Sequence, residues 1–149
     1  MHRRSRSSLL LAELVISIFF FLAAAAVSVR IFAAAKEKSD EAVKNQNLAA
    51  LVSNCGESFS AAEGDPEKTL SGLQTVYSGL AVQGQEGTLS LSDCLAADAG
   101  GSTTLSITFS ETLKGTGTLH SMTLSVTSPD GTQAYSRVVE HFRTGEEGS

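Results

Sequence analysis

Proline is missing from the first 65 residues, and between Leu9 and Val29 the chain carries a single ionisable side chain, Glu13. The only prolines are Pro66 and Pro129. The first absence leaves nothing to break a helix in the N-terminal part, because proline removes a backbone donor and clashes with the preceding turn. The second excludes an ordinary cytosolic globule. Those 21 residues make roughly 32 Å of helix at about 1.5 Å rise each, close to the ~30 Å of a hydrocarbon core. Cysteine is scarce as well, with two in 149 residues, and neither a CxxC nor an HxH spacing occurs. A zinc site therefore has no support in the sequence.

Charge is divided as unevenly as hydropathy. Arg3, Arg4 and Arg6 precede the apolar run without an acid among them. From Lys36 onward there are seven basic and fifteen acidic residues, a net charge near −8. Basic residues flanking a span stay in the cytoplasm, which predicts an inside N-terminus and an outside acidic domain. An acidic domain repels nucleic acid and anionic lipid, so no nucleic-acid partner is expected.

The chain reads as a basic leader (1–8), a transmembrane helix (9–29) and an extracytoplasmic continuation of that helix (30–62). A connecting segment (63–87), an antiparallel sheet (88–143) and an acidic tail (144–149) complete it. Leu48, Leu51, Val52, Cys55, Phe59 and Ala62 recur at the 3–4 spacing of one helix face. Glu63-Gly64-Asp65-Pro66 supplies a helix stop followed by a helix start, and a short second helix over 66–77 fits. One helix over residues 8–62 would be roughly 80 Å long.

Beyond it, strand alternation is clean over Thr104–Ser110 and His120–Thr127, with further strands at Thr88–Ser92 and Ala134–Phe142. Lys114-Gly115-Thr116-Gly117 and Ser128-Pro129-Asp130-Gly131 read as the turns between them. The expected fold is α+β: a long N-terminal helix, its second half amphipathic and packed on an antiparallel sheet of three or four strands.

Cys55 and Cys94 are both placed outside the membrane, where disulfides persist. A bridge would pin helix to sheet; alternatively the two are separate small apolar residues, Cys94 lying beyond its strand. His120 shares a face with Met122, Leu124 and Val126, and His141 stands beside Phe142; both read as sheet histidines rather than ligands. Asp93, Asp98 and Glu111 read as solvated charges. Gly115-Thr116-Gly117 lacks the lysine and following helix of a phosphate loop, and no GxSxG elbow occurs. No catalytic residue, cofactor or metal is expected.

The apolar run admits three readings: a secretory signal cut after the Ala23–Ala26 stretch, an uncut signal anchor, or a span in which Glu13 has a task. Glu13 lies four residues into the run, where it either rests at the headgroup level or needs a partner. Here a family likeness bears on the choice. Arg3-Arg4-Ser5-Arg6-Ser7-Ser8, followed by Leu9-Leu10-Leu11-Ala12-Glu13-Leu14-Val15-Ile16, resembles the N-terminus of a type IV pilin or pseudopilin precursor.

The resemblance implies a cut between Ser8 and Leu9, leaving Glu13 as the fifth residue of the mature chain. It also implies that Glu13 meets the terminal amine of a neighbouring subunit during filament assembly. The family's Gly before the cut is Ser8 here, and its aromatic and threonine after the cut are Leu9 and Leu10. Its midspan proline has no counterpart. The implied partners are the membrane, other pilin-like subunits, a prepilin peptidase, and the assembly machinery of a type IV pilus, type II secretion or competence-type filament. The implied location is the bacterial cell membrane, single-pass, with the C-terminal domain outside. The alternative is a signal-anchored protein whose external binding or sensor domain never polymerises. Ser8 discriminates the two, because a peptidase requiring Gly leaves the anchor whole.

Overall fold

The computed structural model describes residues 3–145. Its first element, α1 (Arg3–Ala61), is a single helix of 59 residues. It begins five residues before the expected start, because Arg3 to Ser8 contain neither Gly nor Pro and nothing arrests the turn that the leucine run propagates. Every residue from 6 to 46 is exposed. The helix is long and apolar enough to cross a membrane, and none of its apolar window is buried within the chain. The chain divides into two units, Met1–Ala42 and Val43–Ser149, with the boundary inside α1.

In the second unit the C-terminal part of α1 packs with α2 (Pro66–Val76) and a sheet of β1 (Ala81–Gln83), β2 (Glu86–Leu91), β3 (Thr103–Lys114), β4 (Gly117–Thr127) and β5 (Gln133–Thr144). All neighbours are antiparallel and the spatial order follows the chain, β1-β2-β3-β4-β5. The fold is α+β with five strands, one or two more than the alternation predicts. The extra strand, β1, is three exposed residues folded back on β2 through Gly84-Gln85, too short to show a period. Of the expected acidic tail, Thr144 ends β5, and residues 146–149 lie outside the described residues. His2 lies outside them too.

The helix stop is built differently from a simple glycine cap. The amide of Gly64 donates to the carbonyl of Phe59 and that of Glu63 to Ser60, the paired bonds of a Schellman motif. Glu63 therefore takes the left-handed position usually given to glycine, at φ 53°, and Gly64 follows at φ 81°. A Cβ on Gly64 would approach the His120 Cβ to 2.7 Å, so glycine is required there by crowding as well as by backbone. Asp65 caps α2 by accepting from the Lys68 amide at 3.0 Å, with Pro66 in the first turn.

The core is one cluster. Leu51, Cys55 and Phe59 from α1 meet Leu70 and Leu73 from α2, with Leu89, Leu91, Leu105, Ile107, Met122, Leu124 and Val126 from β2, β3 and β4. Strand alternation sends these side chains to one face, with Thr103 among them, and most Ser and Thr to the other. On that solvent face Ser106, Ser125 and Ser136 stand in one cross-strand row and Thr108 and Thr123 in the next.

Candidate functional site

The N-terminal unit holds the residues that the sequence singles out for assembly. Ser8, Leu9 and Glu13 lie on α1 and are exposed. Helical geometry places Leu9 and Glu13 four residues apart on one side of the helix. Glu13 has no ion-pair partner among the described residues. The other polar side chains of the apolar run are Ser17 and Ser28, and Ser28 donates to the carbonyl of Ala24 one turn back, at 2.9 Å. Among the described residues this surface carries no nucleophile with a base beside it. It can bind through one carboxylate and through apolar area.

In the second unit, α1 and β5 flank an open groove of about 690 Å³. Leu48, Val52 and Gly56 line its helix side, Tyr135, Arg137 and Val139 its strand side. Arg137 faces the helix because the β4–β5 register sets it opposite Leu124. The poor alternation of β5 hid this placement. Glu57 is the acid in the same groove.

A row of titratable side chains crosses the sheet beneath the α1–α2 turn. The β3–β4 hairpin turns on Gly115-Thr116, which pairs Glu111 with His120, and the β4–β5 pairing sets His120 beside His141. The His120 Nδ1 lies 3.2 Å from the Glu111 Oε1 without making a hydrogen bond, so it is a buried polar atom with no partner. The His141 ring meets Phe59 edge-on at 6.4 Å. Glu111 is exposed, as expected of a solvated charge, with the His120 ring beside it. The signal was present, since a two-residue hairpin fixes which residues stand opposite one another. Among the described residues no group of three or more His, Cys, Asp or Glu is arranged to hold a metal ion.

Both cysteines are free thiols, which corrects the bridged alternative for Cys55 and Cys94. The Asn47 amide donates to the Cys94 carbonyl at 2.8 Å. That bond anchors the Cys94 loop at the level of Asn47, about 12 Å along α1 from Cys55, whereas a disulfide needs Cα atoms within about 7 Å. Cys94 lies in the turn after β2, half-buried, with Sγ 3.1 Å from the Ser92 hydroxyl. Hydrogen bonding from Ser92, then from the Ala96 amide, holds its thiol below the usual range. Burial pushes the Cys55 thiol up to about 11.

The thiolate is the nucleophile, so the two residues will separate under alkylation. In the folded chain a maleimide will modify Cys94 at least about 100-fold faster than Cys55, and Cys55 will react only after denaturation. As pH is lowered through the ordinary thiol range, Cys94 will keep its rate longer than a free cysteine does. Mass spectrometry of the labelled peptides measures both. Equal labelling of the native chain would contradict the placement of Cys55.

Comparison with protein-family models, with curated proteins and with solved structures finds no match.

Proposed function

We propose that the chain is a pilin-like or pseudopilin-like structural subunit, held in the membrane by its N-terminal helix and assembling with further copies through it. The observation that carries this reading is a helix uncovered on every side from residue 6 to 46. Its apolar stretch contains one carboxylate, at Glu13. A carboxylate there costs about 2.5–3.5 kcal/mol at the centre of a bilayer and less toward its surface. A neighbouring copy that supplies a counter-charge offsets that cost. The arginines before the span and the acidic remainder support an inside N-terminus and an outside domain. The sheet domain then presents its hydroxyl-rich face and its α1–β5 groove to substrates or partners outside the cell.

The rival is an anchored external domain that never polymerises, and Ser8 in the place of the family's glycine favours it. Lipid-soluble cross-linking of membranes containing the full chain separates the two. The assembly reading predicts a ladder of dimer, trimer and higher species. A single monomer band at every cross-linker concentration would overturn it and leave the anchored domain.

A further inference from the structure

The outer strand β5 is hydrogen-bonded to β4 alone, and the phase of that ladder decides what its free edge offers. The Gly145 amide donates to the Thr116 carbonyl, with Gly117 opposite Thr144. Bonded and non-bonded pairs alternate along an antiparallel ladder, so Tyr135, Arg137, Val139 and His141 exchange their backbone bonds with β4. The amides and carbonyls of Ser136, Val138, Glu140 and Phe142 point away from the sheet. None of them has a hydrogen-bond partner among the described residues. The strand runs for 12 residues without Pro or Gly. An uncovered edge of that length is a template for another extended chain.

The groove between α1 and β5 lies at this edge, since β5 is the strand that lines it. Its side chains alternate with its free backbone groups: Tyr135, Arg137 and Val139 turn to the groove, and Ser136, Val138 and Glu140 to the other face. On the helix wall a Cβ at Gly56 would meet nothing within 4 Å, so space is left there. A strand added to β5 would run about 4.8 Å beyond it and send every second side chain toward that wall. Arg137 forms no ion pair among the described residues, although Glu57 lines the same groove. Glu57 instead accepts from the Ser53 hydroxyl at 3.2 Å.

We propose that an extended segment of a partner protein joins the sheet as a sixth strand along β5 and sets a carboxylate against Arg137. This names the partner chemistry for the groove that the proposed function leaves open. Main-chain bonds to an edge supply affinity, and alternate side chains supply specificity. The guanidinium offers a planar fork to an acid. A charge on the inner face of an edge strand also guards it against indiscriminate pairing. The negative charge of the rest of the domain is screened beyond about 8 Å at physiological salt, so the contact inside the groove decides. A second copy fits this edge less well. A two-fold pair of β5 strands is antiparallel, and the same axis reverses the part of α1 packed on the sheet. Copies anchored the same way in one membrane do not meet so, and the other edge strand, β1, has three residues. That choice of occupant rests on the anchored reading above; the docking site does not.

The test uses the full chain in detergent micelles. The probe is a fluorescein-labelled, end-blocked peptide of alternating Val and Thr with one central Asp, and a second probe carries Lys in its place. Anisotropy measures affinity, and site-resolved hydrogen exchange measures the footprint. The Asp probe is expected to slow exchange about tenfold or more at the amides of Ser136, Val138 and Glu140. Arg137 and Val139, whose amides already serve β4, should change little. Wild type should prefer the Asp probe, and Arg137→Glu should prefer the Lys probe. Val138→Pro removes an outward donor and no bond to β4. Gly56→Leu fills the helix wall with a better helix former, so its melting midpoint should equal or exceed that of wild type. Each should weaken the Asp probe about tenfold or more. Equal affinity for the two probes, protection that does not alternate along β5, or full binding by Gly56→Leu would each overturn the proposal. Outward β5 amides that are protected without peptide and lose that protection on dilution would assign the edge to a second copy, which also overturns it. A chain that gives no cross-linked ladder yet captures the Asp probe would remove the assembly reading and leave the docking site.

Discussion

Replacing Glu13 by alanine is expected to leave the chain in the membrane and to remove it from assemblies. Glu13 is exposed and belongs to the first unit, and it is not among the core residues of the second, so the thermal unfolding of the second unit should be unchanged. Insertion should be unchanged or easier, because an ionisable group is taken out of an apolar segment. The loss falls on contacts between copies. Removing one partner of a desolvated ion pair leaves the other charge buried and uncompensated, which costs about 3–5 kcal/mol. Even a fraction of that lowers the cross-linked species by about tenfold or more, since 1.4 kcal/mol is a factor of ten. Glutamine at the same position keeps a hydrogen-bonding group and loses the charge, so Glu13→Gln should fall nearly as far. The measurement is the ratio of higher species to monomer at matched membrane content. An unchanged ratio in both variants would take Glu13 out of the assembly.

The second large effect is expected in the core of the sheet domain. Leu124 is 1% exposed on the strand next to the sheet edge, in the same cluster as Cys55, Phe59 and Leu73. Leu124→Ala removes three buried carbons' worth of apolar contact and leaves a cavity that the surrounding strands cannot collapse into. Such changes cost about 2–5 kcal/mol. For a domain of this size each kcal/mol is worth roughly 4–8 °C, so the midpoint should fall by on the order of 10–30 °C. Leu113 offers the contrast. It is 84% exposed near the end of β3, and Leu113→Ala should stay within about 0.5 kcal/mol. Thermal melts followed by far-UV circular dichroism measure both. A Leu124→Ala midpoint near wild type would mean that the sheet and helices do not share one core.

The parts of this fold that were legible in the sequence are those in which a local period decides the outcome. The helix face of Leu51, Cys55 and Phe59 follows from 3–4 spacing, and β3 and β4 follow from their alternation around a glycine turn. Asp65 and Pro66 announced the start of α2 because capping is local chemistry. The strand β1 stayed hidden, since Ala81–Gln83 is held by pairing to β2 rather than by any pattern of its own. Glu63 in the left-handed region was equally invisible, because a glycine one position later seemed sufficient for the stop. The separation of the cysteines depends on Asn47 reaching the Cys94 carbonyl, a contact 47 residues apart in the chain. Of the candidate site, Glu13 announced itself as a charge where charges are costly. Arg137 in the groove needed the β5 register, a tertiary fact.

The central claim is that the N-terminal helix is an assembly stem that meets other copies on the side carrying Glu13. Single cysteines placed at Ser17 or Ala24, in a full chain carrying Cys94→Ser, test it most directly when the membranes are oxidised with copper phenanthroline. Cys55 remains buried in the core and does not take part. The account predicts disulfide-linked dimers from Ser17→Cys and Ala24→Cys, which share the Glu13 side of α1, and almost none from Ala26→Cys on the opposite side. Monomer at all three positions, or equal dimer at all three, would contradict it.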